Sequence, residues 1–484
     1  MANRPWVVHS LWTDWGEGNI FLSQTASEVR KHCPTPVHEN SWGRSRYGPR
    51  MATLDRQILR LAIPAFGALV AQPVFLLVDA AVVGTLGTSA LAGLGAASTI
   101  FATVVGLCIF LAYATTSSVA RRFGAGDRGG ALSQGIDGMA LGFGLGIPLG
   151  LAVFAFAEPL VRVLGTSDEA TPYAVTYLRI IAVAFPAVLA VLAGVGVLRG
   201  LQDTQTTLYV TVMQVLVNLI VCVLLVLVLR QGIGGSAVAT ALAEILGLVA
   251  YVAILVRRAR SASVAIRPSG AGVLTSARDG VPLFIRTVAL RAVFLLAAAV
   301  AARLGTEELA AYHVTSTLFF TLALALDALA IAGQALLGKT LGESDVRRSR
   351  EITRRLVWWS MWLGIALAVV VIALRLTLPD WFSDDPAVIS LIMGALLVLA
   401  LLQPLAGVVF ALDGVLIGAG DTRWLAWAQM AMLVAFLPAA WLVLDRDLGL
   451  TGLWWALGWF LLVRAIILGW RARGSAWLVT GAQR

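Results

Sequence analysis

One carboxylate, Asp79, stands in the middle of the apolar stretch "QPVFLLVDAAVVG" (72–84). An unpaired aspartate at a helix centre in hydrocarbon costs about 2.5–3.5 kcal/mol even on the forgiving insertion scale. Such a residue must face protein or a water-filled cavity, where it can be neutral or charged as the local hydration changes. The chemistry it offers is reversible protonation. A structural aspartate bonded to a neighbouring helix is the plainer reading. In the second half, Arg286, Arg291, His313, Asp327, Gln334 and Asp413 also interrupt apolar runs. A carboxylate and an arginine in one bundle neutralise each other, so a structural ion pair stands level with a site for a substrate cation or a second coupling ion. Glu244 is equally open, and Asp137, close to a helix end, is expected to be solvated.

Other chemistries find no support. Cys33, Cys108 and Cys222 lack metal or redox spacing, and two of them lie in apolar runs, so all three read as structural. No His/Cys/Glu cluster falls within the runs. A membrane-embedded enzyme is therefore set aside, and neither a metal nor a cofactor is expected.

The elements that must position these side chains follow from composition. Of 484 residues, 59% are hydrophobic and only 13% charged, with a mean hydropathy of +0.85. Soluble domains carry about 25% charge, so the chain reads as a polytopic membrane protein. At about 1.5 Å per residue, a run of about 20 residues crosses the hydrocarbon layer. Twelve such runs are predicted, at 57–85, 88–118, 131–157, 170–198, 206–230, 236–257, 280–303, 307–337, 355–378, 387–416, 424–445 and 451–470. They lack strict alternation, which favours helices over barrel strands.

Arginines cluster in alternate loops. Arg121, Arg122, Arg128, Arg199, Arg257, Arg258, Arg260, Arg267, Arg278, Lys339, Arg347, Arg348, Arg350, Arg354, Arg355 and Arg423 fall on one side; only Arg162, Arg230, Arg303, Arg375 and Arg446 fall on the other. The positive-inside rule predicts a multi-pass protein of the cell inner membrane with both termini in the cytoplasm. The net charge of +9 then reads as topology, with no nucleic-acid partner. Trp-rich segments such as "WWSMW" (358–362) read as interface anchors.

The first fifty residues are polar and rich in turn formers, without the apolar core of a secretory signal. They read as a disordered tail, or as a start assigned too early with Met51 the real one.

The rest repeats at an offset of 218 residues. "IPAFGALV" from Ile63 matches "VPLFIRTV" from Val281, and "LGTSALA" from Leu86 matches "LGTEELA" from Leu304. "RRFGAGD" matches "KTLGESD", Pro186 matches Pro404, and "LRGLQDT" matches "LIGAGDT". The G-x-x-D elements ending at Asp127, Asp203, Asp345 and Asp421 read as helix–helix turns. Six spans per repeat give two parallel six-helix bundles related by a pseudo-two-fold axis along the membrane normal, a transporter plan. The expected layout is an extension over 1–50, an N-lobe over 51–257, a linker over 258–279, a C-lobe over 280–473 and a tail over 474–484.

These motifs resemble those of multidrug and toxic compound extrusion (MATE) transporters, in the branch typified by DinF, over about residues 55–470. The resemblance rests on "VDAAVVGTLGTSALAGLG" (78–95), "VARRFGAGD" (119–127), "VLRGLQDT" (197–204), "GIGGSAVATALAE" (232–244), "LDALAIAGQALLGKTLG" (326–342) and "LDGVLIGAGDT" (412–422). It implies a central cleft and export of small organic compounds, often cationic, driven by inward protons or sodium. It implies that Asp79 is the coupling residue, that the first helix bends at Pro64, and that Asn218 and Thr240 are the polar partners of Asp79. Helix–helix glue is the alternative for those two. Where some relatives carry a second aspartate, this chain has Cys222, which favours a proton over a coordinated sodium ion. The expected protein is a monomeric, proton-coupled antiporter working by alternating access. Its runner-up is a lipid-linked precursor flippase on the same plan, which calls for a cationic cleft and extra helices. A channel would more often assemble several copies around a pore.

Overall fold

The computed structural model describes residues 48–482; the expected N-terminal extension lies, up to residue 47, outside the described residues. The described chain is all helix. The first repeat holds α1 (Gly48–Gly84), α2 (Thr88–Leu107), α3 (Phe110–Gly124), α4 (Arg128–Ala155), α5 (Ala157–Val163), α6 (Thr171–Ala182), α7 (Phe185–Gly200), α8 (Thr204–Cys222) and α9 (Gly232–Ser261). The second holds α10 (Gly270–Leu304), α11 (Thr306–Gly342), α12 (Val346–Leu374), α13 (Pro386–Gly418), α14 (Thr422–Asp445) and α15 (Gly449–Arg473). Eleven apolar helices are long enough to cross a membrane, α2 and α3 counting together as one of them. The pair α6 and α7, bent by 60°, makes a twelfth. Helices satisfy their own backbone in lipid, which is why uninterrupted apolar runs become spans. Of the expected linker 258–279, only 262–269 is not helical.

The four G-x-x-D turns share one geometry. The residue before each aspartate (Gly126, Gln202, Ser344, Gly420) has φ of 80°, 62°, 60° and 70°. Asp127, Asp203 and Asp345 then accept backbone N–H bonds from Gly130, Thr206 and Arg348 at 2.7, 3.1 and 2.9 Å, capping the next helix. Asp421 accepts instead from Arg471 Nε at 2.7 Å.

These turns lie at the arginine-rich end, where the two repeats meet. A Cβ on Gly124 would stand 2.0 Å from the Lys339 carbonyl oxygen, and one on Gly342 2.1 Å from that of Arg121. So α3 and α11 touch backbone to backbone, which only glycine permits. Gly342→Ala is expected to force this seam apart, lowering melting temperature in detergent and cutting transport several-fold; a variant matching the parent in both would show that the seam yields freely.

Three residues differ from expectation at this end. Arg121, counted among the loop cations, is buried, donating to the carbonyls of Ala419 (2.8 Å) and Val479. Arg199 is buried at the end of α7. Asp137 is buried too, accepting from Ser269 N at 2.7 Å. Helix ends packed against the other repeat bury charges that a loop would expose. The C-terminal segment also docks here: Trp477 is fully buried, and Gly481 N donates to Leu341 O at 3.0 Å.

Candidate functional site

Asp79, on the last turns of α1, is 1% exposed. Its Oδ1 accepts from Ser236 Oγ at 2.6 Å and from Cys222 Sγ at 3.3 Å; the Tyr177 hydroxyl reaches Oδ2 at 3.5 Å. The donors come from three elements: Ser236 from α9, Cys222 from the end of α8, and Tyr177 from α6. All are neutral.

A second layer holds the first. Tyr177 Oη and Thr240 Oγ1 lie 3.2 Å apart, and Asn218 Nδ2 donates to Thr240 Oγ1 at 3.1 Å. Thr240 Oγ1 also lies 3.1 Å from the Ser236 carbonyl oxygen, one turn back on α9. Its single hydrogen has two acceptors to choose between, so the hydroxyl chain can run in either direction. Asn218 and Thr240, expected as partners of Asp79, form this second layer, one step from the carboxylate and not bonded to it. Asn218 Oδ1 is buried with no partner among the described residues.

Sequence reasoning missed Ser236 and Tyr177, and singled out Cys222 only as the absence of an aspartate. Ser236 could have been found, since it precedes Thr240 by four residues and so shares its helix face. Immediately after Cys222 the helix widens into a π segment, Val223–Val228. Such bulges re-aim side chains and recur at functional sites.

The pseudo-symmetry breaks here. In the second repeat, 218 residues on, Ala297 and Phe436 stand where Asp79 and Asn218 do, both fully buried. The carboxylate site belongs to one lobe.

α1 connects this site to the other lobe. At its arginine-rich end Asp55 accepts from Arg355 Nε and Nη2 on α12, both at 2.6 Å, and from Trp359 Nε1 at 2.8 Å. The helix is continuous through both Pro64 and Pro73, and Pro64 is buried. The prolines remove two backbone donors from that run.

The C-lobe candidates divide. Asp413 accepts from Arg286 Nη2 at 2.7 Å and from Arg464 Nη2, all three residues buried. Arg464, inside "FLLVRAIIL", was overlooked, although an arginine in an apolar run is the signal that identified Arg286. Gln334 is buried nearby in sequence to Asp327 on α11, its Oε1 without a partner among the described residues. Asp327 is half-buried, within electrostatic reach of Arg199 and Arg286. His313 does not join them: it is exposed, about four turns away along α11. Arg291 is exposed as well, its guanidinium lying against Gly106 of α2.

Comparison with known proteins agrees with the repeat. The family model described as MatE matches residues 64–224 and again 282–442, beginning at Pro64 and Pro282. Protein DETOXIFICATION 43 of Arabidopsis thaliana is 30% identical over 476 residues, 86% of this chain and 89% of that protein. DNA damage-inducible protein F of Escherichia coli (strain K12) is 27% identical over 453 residues, 88% and 95% of the two chains. Among solved structures, the Vibrio cholerae MATE transporter VcmN in its bent form superposes with a TM-score of 0.77 at 22% identity, covering 87% of this chain and 95% of that one. A MOP superfamily transporter from Pyrococcus furiosus gives 0.78 at 21% identity, over 89% and 98%. With both repeats matched by one family model and the whole span shared with these relatives, the chain belongs to the MatE family of multidrug transporters, in its DinF-like branch.

Proposed function

We propose that this protein is a secondary active exporter that moves small organic compounds, cations among them, out of the cell in exchange for inward protons. The observation that carries the reading is the setting of Asp79: a carboxylate taken wholly out of water, held by three neutral donors and no cation. A sodium site calls for several oxygen ligands around the ion, and here a thiol fills one flank. A proton needs only the carboxylate.

The cycle follows from the connections of α1. Asp79 takes a proton from the outer side while the arginine-rich seam between α3 and α11 is shut. Neutral Asp79 no longer holds its donors as tightly, so the outer half of α1 shifts about Pro64, and the N-lobe side of the central cleft contracts and expels substrate. Because Asp55 ties the other end of α1 to α12, that shift bears on both lobes. The lobes then rock, the seam opens, and Asp79 releases its proton inward. The arginine distribution supports a cytoplasmic seam, both termini cytoplasmic, and the cell inner membrane as the site of action. The protein works as a monomer, the N-lobe (51–257) carrying coupling and the linker joining it to the C-lobe (280–473).

The test is efflux of ethidium from liposomes holding the purified protein, at zero membrane potential. A pH gradient without sodium is expected to drive transport, and a sodium gradient without a pH difference is not. Transport driven by sodium alone would overturn proton coupling.

A further inference from the structure

The seam between α8 and α9 carries a second polar rung, one turn beyond the first. In the first, Asn218 Nδ2 on α8 donates to Thr240 Oγ1 on α9 at 3.1 Å. In the second, Gln214 Nε2 on α8 donates to Glu244 Oε2 on α9 at 3.2 Å. Gln214 precedes Asn218 by four residues and Glu244 follows Thr240 by four, so the rungs stack along the two helices. The second is built into the packing: a Cβ on Gly247 would stand 2.3 Å from Gln214 Nε2, so glycine leaves the amide its place across α9.

Glu244 lies near the middle of α9, deep within an apolar helix long enough to cross a membrane, and is half-buried. Its partner is a neutral amide, and it makes no ion pair among the described residues. An ionisable side chain kept at that depth without a counter-charge calls for a functional account. Around it, Tyr251 lies two turns further along α9 with its ring against Gly194 of α7, and Arg199 of α7 lies within electrostatic reach of Tyr251. Further along the same seam Arg258 of α9 pairs with Asp203, at the arginine-rich end of α8.

We infer that Glu244 is a second proton station, receiving the coupling proton from Asp79 through the Tyr177 and Thr240 hydroxyls and passing it toward the arginine-rich end. In this step the Asp79 carboxyl group loses a proton and becomes a carboxylate. Each hydroxyl accepts one proton and gives up one, and the Glu244 carboxylate ends as the neutral acid. Thr240 and Glu244 are four residues apart, about 6 Å along the helix, a gap one bridging water spans. One negative charge moves from Glu244 to Asp79, so the transfer itself leaves the net charge of the pair unchanged. The inference rests on Asp79 being the coupling residue.

The experiment uses the full chain in liposomes, ethidium as probe, and an imposed pH gradient. Glu244→Gln is expected to cut proton-driven efflux at least about tenfold and to flatten its pH profile, while ethidium binding stays within about twofold of the parent. Glu244→Asp, which keeps the proton, is expected to restore much of the rate. Parental rate and pH profile in Glu244→Gln would overturn the relay, and so would loss of ethidium binding along with transport. If Glu244→Gln does not fold, Gln214→Leu decides: slowed proton-driven efflux with binding kept supports the relay, and parental rates overturn it. Asp79→Asn in the same assay separates the two readings. If it is inactive while Glu244→Gln is parental, only the relay fails; if it is itself parental, the coupling assignment fails.

Discussion

Asp79→Asn is expected to lower efflux driven by a pH gradient by at least about a hundredfold, equivalent to about 2.7 kcal/mol, in a protein that still folds. Asparagine has the size of aspartic acid, and its amide oxygen can accept from Ser236 as Oδ1 now does at 2.6 Å. Its amide group can meet the Tyr177 hydroxyl, which has acceptor capacity of its own. Packing and hydrogen bonding at this fully buried position are thus nearly preserved, and the melting temperature should move little. What the amide cannot do is exchange a proton. It resembles the neutral acid in every state, so α1 loses the signal that tells its outer half to move. Binding of ethidium and its counterflow, which need no net proton movement, should persist in the variant. Retention of proton-driven efflux would return Asp79 to a structural role. Loss of binding together with transport would instead place it among the substrate ligands.

The helices were legible because apolar runs leave a chain no alternative in lipid, and the duplication because five landmarks hold one offset. Polar positions divide by size and setting. Asp79 announced itself, since a charge in hydrocarbon is costly. Ser236 and Tyr177 did not, because a hydroxyl is cheap to bury once bonded and leaves no mark on hydropathy. Arg121 and Arg199 were taken for loop charges because they lie in the last turns of their helices, and Asp137 was expected to be solvated because it lies toward the arginine-rich end of its span. The end of a span shows in one-dimensional sequence, and the other repeat's packing against it does not. The π segment after Cys222 has no sequence signature at all, yet it sits beside the thiol that touches Asp79. The 60° bend between α6 and α7 has a visible cause: Pro186, two residues into α7, cannot donate back across the break.

The same physics sets the largest expected loss of stability, in the other lobe. Asp413 is the common partner of Arg286 and Arg464, and all three are under 9% exposed. Neither guanidinium's Nε has another partner among the described residues. Asp413→Ala would leave two cations facing each other with no anion between them. Removing one member of a buried pair costs about 3–5 kcal/mol, and the mutual repulsion here adds to it. The variant is expected to aggregate or to melt far below the parent in detergent. Replacing the whole group with apolar residues of similar volume, as Arg286→Met, Asp413→Leu and Arg464→Met together, removes both the attraction and the desolvation cost. Such exchanges are often neutral or stabilising, so the triple variant should recover parental melting. It should also retain proton-driven efflux, because the carboxylate that exchanges the proton lies in the first lobe. Parental stability in Asp413→Ala alone would mean that water or lipid headgroups reach these arginines. A stable triple variant without transport would instead give the trio a part in the cycle, as a contact that breaks and re-forms when the lobes rock.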